Sequence, residues 1–263
     1  MRINKYIAAC GISSRREADK LIQNKRVMVN GKNAVSGMDV TETDEVQVDG
    51  KKCKLVEKKV VLAFYKPIGV TCSEKDEYAE ELVRDYIDYP IRLTYAGRLD
   101  KDSEGLLLMT NDGDLIESMM RGSNGHEKEY HVKVNKPLQK EHIEALQKGV
   151  YLTELKVKTR PCKIKVYSER EFGITLTQGL NRQIRRMCGA FGYRVDSLKR
   201  VRVMNIKLEG LKPGQWRELS EAEKAELRKL VSKKTAGMVK TNREKNRRPT
   251  QKKNTGLKKE KRN

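Results

Sequence analysis

The segment YAGRLDKDSEGLLLMTNDG, residues Tyr95–Gly113, indicates the fold more clearly than any other part of the chain. A strand-like start leads into a turn that carries Asp100, and an apolar run, residues 106–109, follows it. Arg98 lies two residues before Asp100. A carboxylate held between two such runs, with an arginine beside it, is typical of a reactive group, and we predict this role for Asp100.

A second segment, QGLNRQIRRM at Gln178–Met187, is the expected counterpart of the Asp100 turn. A glycine-bearing turn there leads into a short helix that carries Arg182, Arg185 and Arg186. Because arginine suits phosphate and carboxylate groups, the two segments together predict chemistry on a polyanion.

Composition favours a nucleic acid as that polyanion. The chain has 263 residues and a formal net charge of +21, and such an excess of Lys and Arg favours a polyphosphate partner. No apolar run reaches the roughly 20 residues of a membrane span, and no signal-peptide pattern is present, so we predict a cytoplasmic protein without a membrane partner. The five cysteines form no C-x-x-C pair and the three histidines lack ligand spacing, so neither disulfides nor a metal site are predicted.

The N-terminal region predicts a compact module of two helices and small strands. Apolar residues recur at helical spacing over Ile3–Cys10, and a capping box of Ser14 and Glu17 begins a second helix. Asn-Gly at Asn30 and Asp-Gly at Asp49 then indicate two hairpins, because these turns need positive φ.

Basic side chains on this module suit an RNA phosphate backbone. Those expected to bind RNA are Arg15, Arg16, Lys20, Lys25 and Arg26. Residues 1–58, especially GISSRREADKLIQNKRVMVNGK, resemble the S-four RNA-binding domain, which is named after a small-subunit ribosomal protein. The resemblance implies that this module binds RNA.

Residues 59–232 predict an α+β domain. Strand-like runs follow one another across turns without intervening helices, which favours a mixed, mainly antiparallel sheet. Helices are expected near residues 114–120, 141–148, 181–191 and 221–231. A capping box of Ser220 and Glu223 begins the last of them. Residues 233–263 hold thirteen Lys or Arg against two Glu, and they predict a disordered basic tail.

The order of five motifs carries a second resemblance: KPIGVTC, AGRLDKDSEGLLLMTNDGDL, KEYHV, QGLNRQIRRM and LKPGQWREL. In this order they resemble the pseudouridine synthases, specifically the RsuA-like branch that joins an S-four domain to the catalytic domain. The resemblance covers residues 1–232 and implies a cofactor-free isomerisation of uridine in RNA. The segments HEKEYHVKV and TQGLNRQIRRMCGAFGY are most similar to a large-subunit rRNA enzyme of that branch.

The resemblance also implies roles for the central residues. Asp100 matches the catalytic aspartate, which either attacks the substrate covalently or removes a sugar proton. Tyr130 of KEYHV matches the active-site tyrosine and is expected to supply a ring face for the extruded base. Arg185 is expected to lie beside Asp100 and to favour its charged form through a planar two-point contact.

Other basic residues near the site are expected to contact RNA. Arg98 either enters the place in the RNA that the flipped uridine leaves or hydrogen-bonds the loop. Lys66 is expected at the rim of the site, in contact with phosphate. Arg182 and Arg186 lie four residues apart and are expected to face phosphate.

The sequence alone leaves three alternative functions open. The same chemistry could act on a tRNA or a small-subunit rRNA. The chain could instead be a non-catalytic RNA-binding protein of ribosome assembly, or it could hydrolyse a nucleoside bond, although glycosidases usually need paired carboxylates. Nothing in the sequence demands more than a monomer.

Overall fold

The computed structural model describes residues 1–73, 78–121 and 124–232. The predicted basic tail, residues 233–263, lies outside the described residues. In the described ranges, no helix combines the length and the apolar character that crossing a bilayer requires.

The described chain contains a helix at each region where the sequence predicts one, and strands form most of the rest of the regular structure. Helices α1 to α6 span Ile3–Ala9, Arg15–Gln23, Gly113–Met120, Lys140–Lys148, Gln183–Gly189 and residues 221–232, and short 3-10 helices span Val83–Tyr86 and Thr153–Leu155. Strands β1 to β15 span Val27–Val29, Lys32–Asn33, Val46–Val48, Lys51–Lys52, Val61–Lys66, Thr94–Tyr95, Glu104–Thr110, Lys128–Val134, Tyr151–Leu152, Val157–Lys158, Lys163–Ser168, Glu171–Leu176, Val195–Val203, Ile206–Lys207 and Trp216–Glu218.

The N-terminal helices and the small sheet β2-β1-β3-β4 surround an apolar cluster of their own. The predicted capping box begins α2: Ser14 Oγ accepts from the N–H of Glu17 at 3.2 Å, and the N–H of Ser14 donates to Glu17 Oε2 at 3.1 Å. Asn30 and Asp49 have φ values of 49° and 49°, so the two predicted hairpin turns are confirmed.

A nine-stranded sheet dominates the rest of the molecule, with the strand order β11-β12-β8-β13-β7-β5-β15 and with β14 and β6 paired outside this path. Among the described pairs of this sheet, β13 and β7 are parallel and the others are antiparallel. The predicted α+β class with a mixed, mainly antiparallel sheet is therefore confirmed.

Strands β5 and β7 are buried on both faces. Alternate residues of β5, such as Ala63 and Phe64, contact different apolar clusters, and the same holds for Leu107 and Leu108 of β7. Double burial explains why the run at 106–109 is continuously apolar rather than alternating.

The two halves of the sheet meet closely at Gly105. Its φ is 107°, and a Cβ atom built there would lie 2.3 Å from the carbonyl oxygen of Arg200, its partner in the parallel β7–β13 pair. Glycine avoids this clash because it has no side chain. The close approach places Arg200 directly beside the end of the Asp100 turn.

Candidate active site

The turn between β6 and β7 holds Asp100 in a defined position. Leu99 is buried in the apolar cluster below the turn, and the N–H of Ser103 donates to the carbonyl of Asp100 at 3.1 Å. The N–H of Gly69 donates to the carbonyl of Lys101 at 2.9 Å. These contacts anchor the backbone, while 38% of the Asp100 side chain stays exposed.

Asp100 lines a cavity of about 560 Å³. The cavity lies among the Asp100 turn, the C-terminal end of α3, strands β8 and β13, and the loop between β12 and α5. Its charged and aromatic lining includes Arg98, Asp100, Lys128, Tyr130, Arg182 and Arg200. The volume lies within the range of small-ligand sites.

Arg182 reaches both carboxylates of the turn. Its Nη1 and Nη2 donate to the two oxygens of Asp102 at 3.1 and 2.8 Å, and Nη1 lies 3.8 Å from Asp100 Oδ2. Partial burial raises the pKa of Asp102, but the hydrogen bonds from Arg182 and the charge of Arg185 outweigh that effect and lower the pKa below its ordinary value of 3.8. Asp102 is therefore an ionic anchor of the turn.

Arg185 contacts Asp102 rather than Asp100. Its Nη2 donates to the Asp102 carbonyl at 2.7 Å and lies 3.4 Å from Ser103 Oγ, while Nη1 donates to the Val195 carbonyl at 3.0 Å. Nε lies 3.3 Å from Asp102 Oδ2 without hydrogen-bond geometry. The prediction that Arg185 pairs directly with Asp100 is wrong, because the Val195 carbonyl and the end of the turn already hold its guanidinium.

Tyr130 and Arg98 both line this cavity. Tyr130 of β8 pairs with Arg200 of β13 and Ile174 of β12, and its ring packs partly buried against two apolar clusters. Arg98 is exposed beside the Asp100 turn. The cavity thus combines a carboxylate, an aromatic ring and an exposed arginine at one opening.

Comparison with known proteins assigns this arrangement to a family. Residues 60–190 match the RNA pseudouridylate synthase family, and residues 1–46 match the S4 (S-four) domain. The chain is 44% identical over 233 residues to the dual-specificity RNA pseudouridine synthase RluF of Escherichia coli K12, which covers 88% of this chain and 79% of that protein. The chain belongs to the RNA pseudouridine synthase family.

Two further similarities agree with this assignment. The synthase is 38% identical over 238 residues to the ribosomal large subunit pseudouridine synthase B of Bacillus subtilis, covering 88% of this chain and 96% of that one. A crystal structure of a pseudouridylate synthase matches it with a TM-score of 0.65 at 28% identity, covering 88% of this chain and 99% of the other. The synthase is therefore an RNA-directed isomerase with an N-terminal S4 domain.

Lys66 of the synthase differs from its predicted place at the rim. Its side chain is fully buried, and Nζ donates to the carbonyls of Pro67 at 2.7 Å and Val70 at 2.8 Å, with the Lys101 carbonyl at 3.5 Å. Burial lowers the pKa of Lys66. The prediction of a phosphate contact is wrong, because Lys66 connects the loop after β5 to the Asp100 turn from the inside.

Arg186 of the synthase is also occupied within the chain. Its Nε donates to the Asn181 carbonyl at 3.1 Å, and its guanidinium forms an ion pair with Glu154. Arg182 is held by Asp102 in the same way. These two arginines therefore stabilise the loop at the cavity, and since the Arg182 side chain remains 42% exposed, their contact with phosphate stays a prediction.

The basic residues of the N-terminal module lie on its surface. Arg15, Arg16, Lys20, Lys25 and Arg26 are all exposed. Arg26 forms a two-point contact with Asp49, at 2.7 and 2.6 Å, so its charge is partly neutralised in this structure. The other four keep exposed positions that suit a phosphate backbone.

Two cationic residues of the cavity, Lys128 and Arg200, were not predicted from the sequence. Lys128 lies two residues before Tyr130 on β8 and therefore on the same face, and burial together with the charge of Arg200 lowers its pKa to about 8. Arg200 is 3% exposed and follows the buried Leu198 at the period of a strand. For both residues, the sequence feature that could have predicted a place in the cavity is a cationic side chain within an alternating apolar strand.

Proposed function

We propose that this synthase converts a uridine of large-subunit rRNA to pseudouridine, with Asp100 as the reacting group. The observation that carries the proposal is the partly exposed Asp100 carboxylate on a cavity that also contains Tyr130 and Arg98. The name of the Bacillus subtilis relative, a ribosomal large subunit enzyme, supports the choice of RNA.

The reaction breaks the bond between ribose C1′ and uracil N1 and forms a bond between C1′ and C5. The proton on C5 is then lost and N1 gains one, so substrate and product are isomers. Asp100 acts either by attacking C1′ or by removing a sugar proton. Both routes need a carboxylate held close to the sugar, and the anchored turn fixes the position of Asp100.

The target uridine must leave its stack before it can reach Asp100, at a cost of a few kcal/mol. Tyr130 offers a ring face for the extruded base, and Arg98, exposed at the opening, occupies the place that the base vacates in the RNA. Arg182 and Arg185 act through Asp102 as positioning residues, because they hold the turn that carries Asp100.

The remaining parts of the chain fit this activity. Residues 1–58 bind RNA through Arg15, Arg16, Lys20, Lys25 and Arg26, and residues 59–232 form the catalytic domain. We place the enzyme in the cytoplasm, where rRNA is processed, as a monomer. The basic tail adds RNA affinity that falls with salt.

A second RNA substrate is the runner-up. The Escherichia coli relative is named a dual-specificity RNA pseudouridine synthase, which supports the same chemistry on a second RNA, a tRNA or a small-subunit rRNA, as the alternative.

The test is a transcriptome-wide carbodiimide map of pseudouridine in cells that lack the gene, complemented with the wild type, Asp100→Asn or Asp196→Asn. Asp196 is a matched control, because its side chain is also 38% exposed but lies on β13 beside Arg194, outside the cavity. We expect the wild type and Asp196→Asn to restore a site in large-subunit rRNA, and Asp100→Asn to leave it unmodified.

Other outcomes contradict separate parts of the proposal. A restored site in a tRNA or small-subunit rRNA contradicts the choice of RNA, and full restoration by Asp100→Asn contradicts the role of Asp100. Release of free uracil in vitro would indicate hydrolysis instead of isomerisation.

A further inference from the structure

The inner wall of the cavity carries hydrogen-bond donors that lack acceptors. Arg200 Nη2 and Gln178 Nε2 are buried without a hydrogen-bond partner, and both residues line the cavity. The side-chain ammonium of Lys128, which also lines it, has no hydrogen bond or ion pair with any described residue. Buried donors in folded proteins are normally paired, so this group is suited to a ligand that brings acceptor atoms.

Arg200 is held firmly in this place. Its Nε donates to the Leu106 carbonyl at 2.7 Å, and its Nη1 lies 3.5 Å from the Arg98 carbonyl. Its third nitrogen is the unpaired one. The main chain therefore orients the guanidinium and leaves one edge for a ligand.

The strand register places the two cations around Tyr130. Arg200 is the direct cross-strand partner of Tyr130, and Lys128 precedes Tyr130 by two residues on the same face of β8. Side chains in such positions are close neighbours. A base that lies against the Tyr130 ring consequently has both cations within reach of its edge.

Depth in the cavity distinguishes the parts of a nucleotide. The Asp100 side chain is 38% exposed, whereas Arg200 is 3% exposed. Since Asp100 must meet the sugar, the sugar and its phosphates lie towards the opening and the base lies deeper. The acceptor atoms that reach Arg200 are then the uracil carbonyl oxygens rather than phosphate oxygens.

We propose that Lys128 and Arg200 bind the carbonyl oxygens of the flipped uracil and stabilise the anion that the base becomes when it detaches from the sugar. When the C1′–N1 bond breaks, its electron pair stays on the base and spreads over N1, O2 and O4. In one route C1′ bonds to an Asp100 oxygen. In the other, Asp100 takes the C2′ proton and the C2′–H electron pair forms a C1′–C2′ double bond.

Both routes generate the same uracil anion, and both end with a new bond from C1′ to the base and with Asp100 regenerated. C5 of the detached base forms the new bond to C1′, Asp100 is released or returns its proton to C2′, and the C5 proton is replaced by one on N1. Fixed cations at the place where charge develops lower this barrier most effectively in a cavity that excludes water. The inference rests on the proposed role of Asp100 but not on which route it takes.

The test compares Lys128→Met with Lys133→Met in the full-length enzyme. Lys133 is on the same strand but the opposite face, 55% exposed and paired with Glu171 at 3.4 Å, so its substitution removes the same charge outside the cavity. The substrate is total RNA from cells that lack the gene, with the modified position found by carbodiimide mapping. The measurements are the dissociation constant for this RNA and the single-turnover rate at saturating enzyme.

We expect Lys128→Met to lower the single-turnover rate about 100-fold, the typical effect of removing one such donor, with RNA affinity changed less than about 3-fold. Lys133→Met should keep the wild-type rate, and Lys128→Arg should recover much of the loss. Arg200→Lys, which keeps the charge but loses the planar fork, should also lower the rate.

Outcomes that contradict the role of Lys128 can be told apart from outcomes that contradict the role of Asp100. A wild-type rate in folded Lys128→Met overturns the inference, and weaker RNA binding with an unchanged saturated rate indicates a phosphate contact, which also overturns it. Asp100→Asn is measured in the same assay: if it keeps the wild-type rate, the proposed function fails, whatever Lys128→Met does.

Discussion

Arg182 donates to both oxygens of Asp102, at 3.1 and 2.8 Å, while its Nη1 stays 3.8 Å from the nearer oxygen of Asp100. The neighbouring Arg185 also contacts Asp102. Two arginines thus neutralise the second carboxylate of the turn and leave the first one open to the cavity. Asp102 therefore anchors the loop, while the Asp100 carboxylate stays available for the role that we propose for it.

Asp102→Asn should loosen the turn. We expect the single-turnover rate to fall at least about 10-fold and the free energy of unfolding at pH 7 to fall by on the order of 1 kcal/mol, a modest amount because the pair is half-exposed. The pKa of Asp102 is lowered in the folded state, so its contribution is present above its ordinary pKa of 3.8 and is lost as the pH falls below it. Denaturant unfolding at pH 7 and pH 3 should therefore show a difference from wild type that shrinks at low pH.

Arg185→Lys should fold but lose most activity. A lysine ammonium cannot reach the Asp102 and Val195 carbonyls at once, so the turn loses its fixed direction. We expect a rate loss of about 10- to 100-fold with little change in RNA affinity. Arg194→Lys, at a side chain that is 79% exposed, is the control, and a wild-type rate in Arg185→Lys would contradict the positioning role.

Lys66→Met tests whether Lys66 is structural or binds RNA. The substitution leaves the Pro67 and Val70 carbonyls without their buried donor, and we expect the free energy of unfolding to fall by about 1–3 kcal/mol. RNA affinity should not change. Lys58→Met, which removes a charge from a 64% exposed side chain, is the comparison, and weaker RNA binding specific to Lys66→Met would restore the phosphate contact.

Gly105→Ala should disrupt the contact between β7 and β13. The new Cβ would lie 2.3 Å from the Arg200 carbonyl oxygen at a φ of 107°, so the backbone of one of the two strands has to shift. We expect a loss of more than about 3 kcal/mol, or no folded protein at all. Gly189→Ala, with nothing within 4 Å of its built Cβ, should be neutral by thermal unfolding.

Lys128→Met should make the enzyme more stable while it lowers activity. Burial and the nearby charge of Arg200 both disfavour the protonated form of Lys128. They lower its pKa in the folded state to about 8 from 10.5. Between these values the unfolded chain binds the extra proton, so wild-type stability rises with pH from about 8 towards 10.5. At pH 7 we expect Lys128→Met to gain on the order of 1–3 kcal/mol over wild type, and chemical unfolding at pH 7 and pH 10 should show that gain diminish.

Local signals in the sequence predicted much of the fold. The capping boxes at Ser14 and Ser220 and the hairpin turns at Asn30 and Asp49 all lie where they were expected. These features depend on residues a few positions apart, so neighbouring side chains determine them. The Asp100 turn is also defined by neighbouring residues, and its motif is one of the five whose order indicated the family.

Contacts between distant residues were not predictable in this way. Arg182 and Arg185 reach Asp102 across 80 and 83 positions, and Arg185 is held in addition by the carbonyl of Val195. Lys66 was assigned to the surface because lysine usually lies there, but the carbonyls that bury it come from loops folded over its strand.

The amino-acid sequence alone determined the helices, the hairpins and the place of Asp100 in its turn, because each depends on residues that are close along the chain. The tertiary structure decided which acceptor each buried or partly buried cation contacts, as for Arg182 and Arg185 with Asp102 and for Lys66 with the Val70 carbonyl. The pairing of β8 with β13 brings Lys128, Tyr130 and Arg200 to one cavity, and that pairing joins strands about 70 positions apart, which no local signal in the sequence specifies.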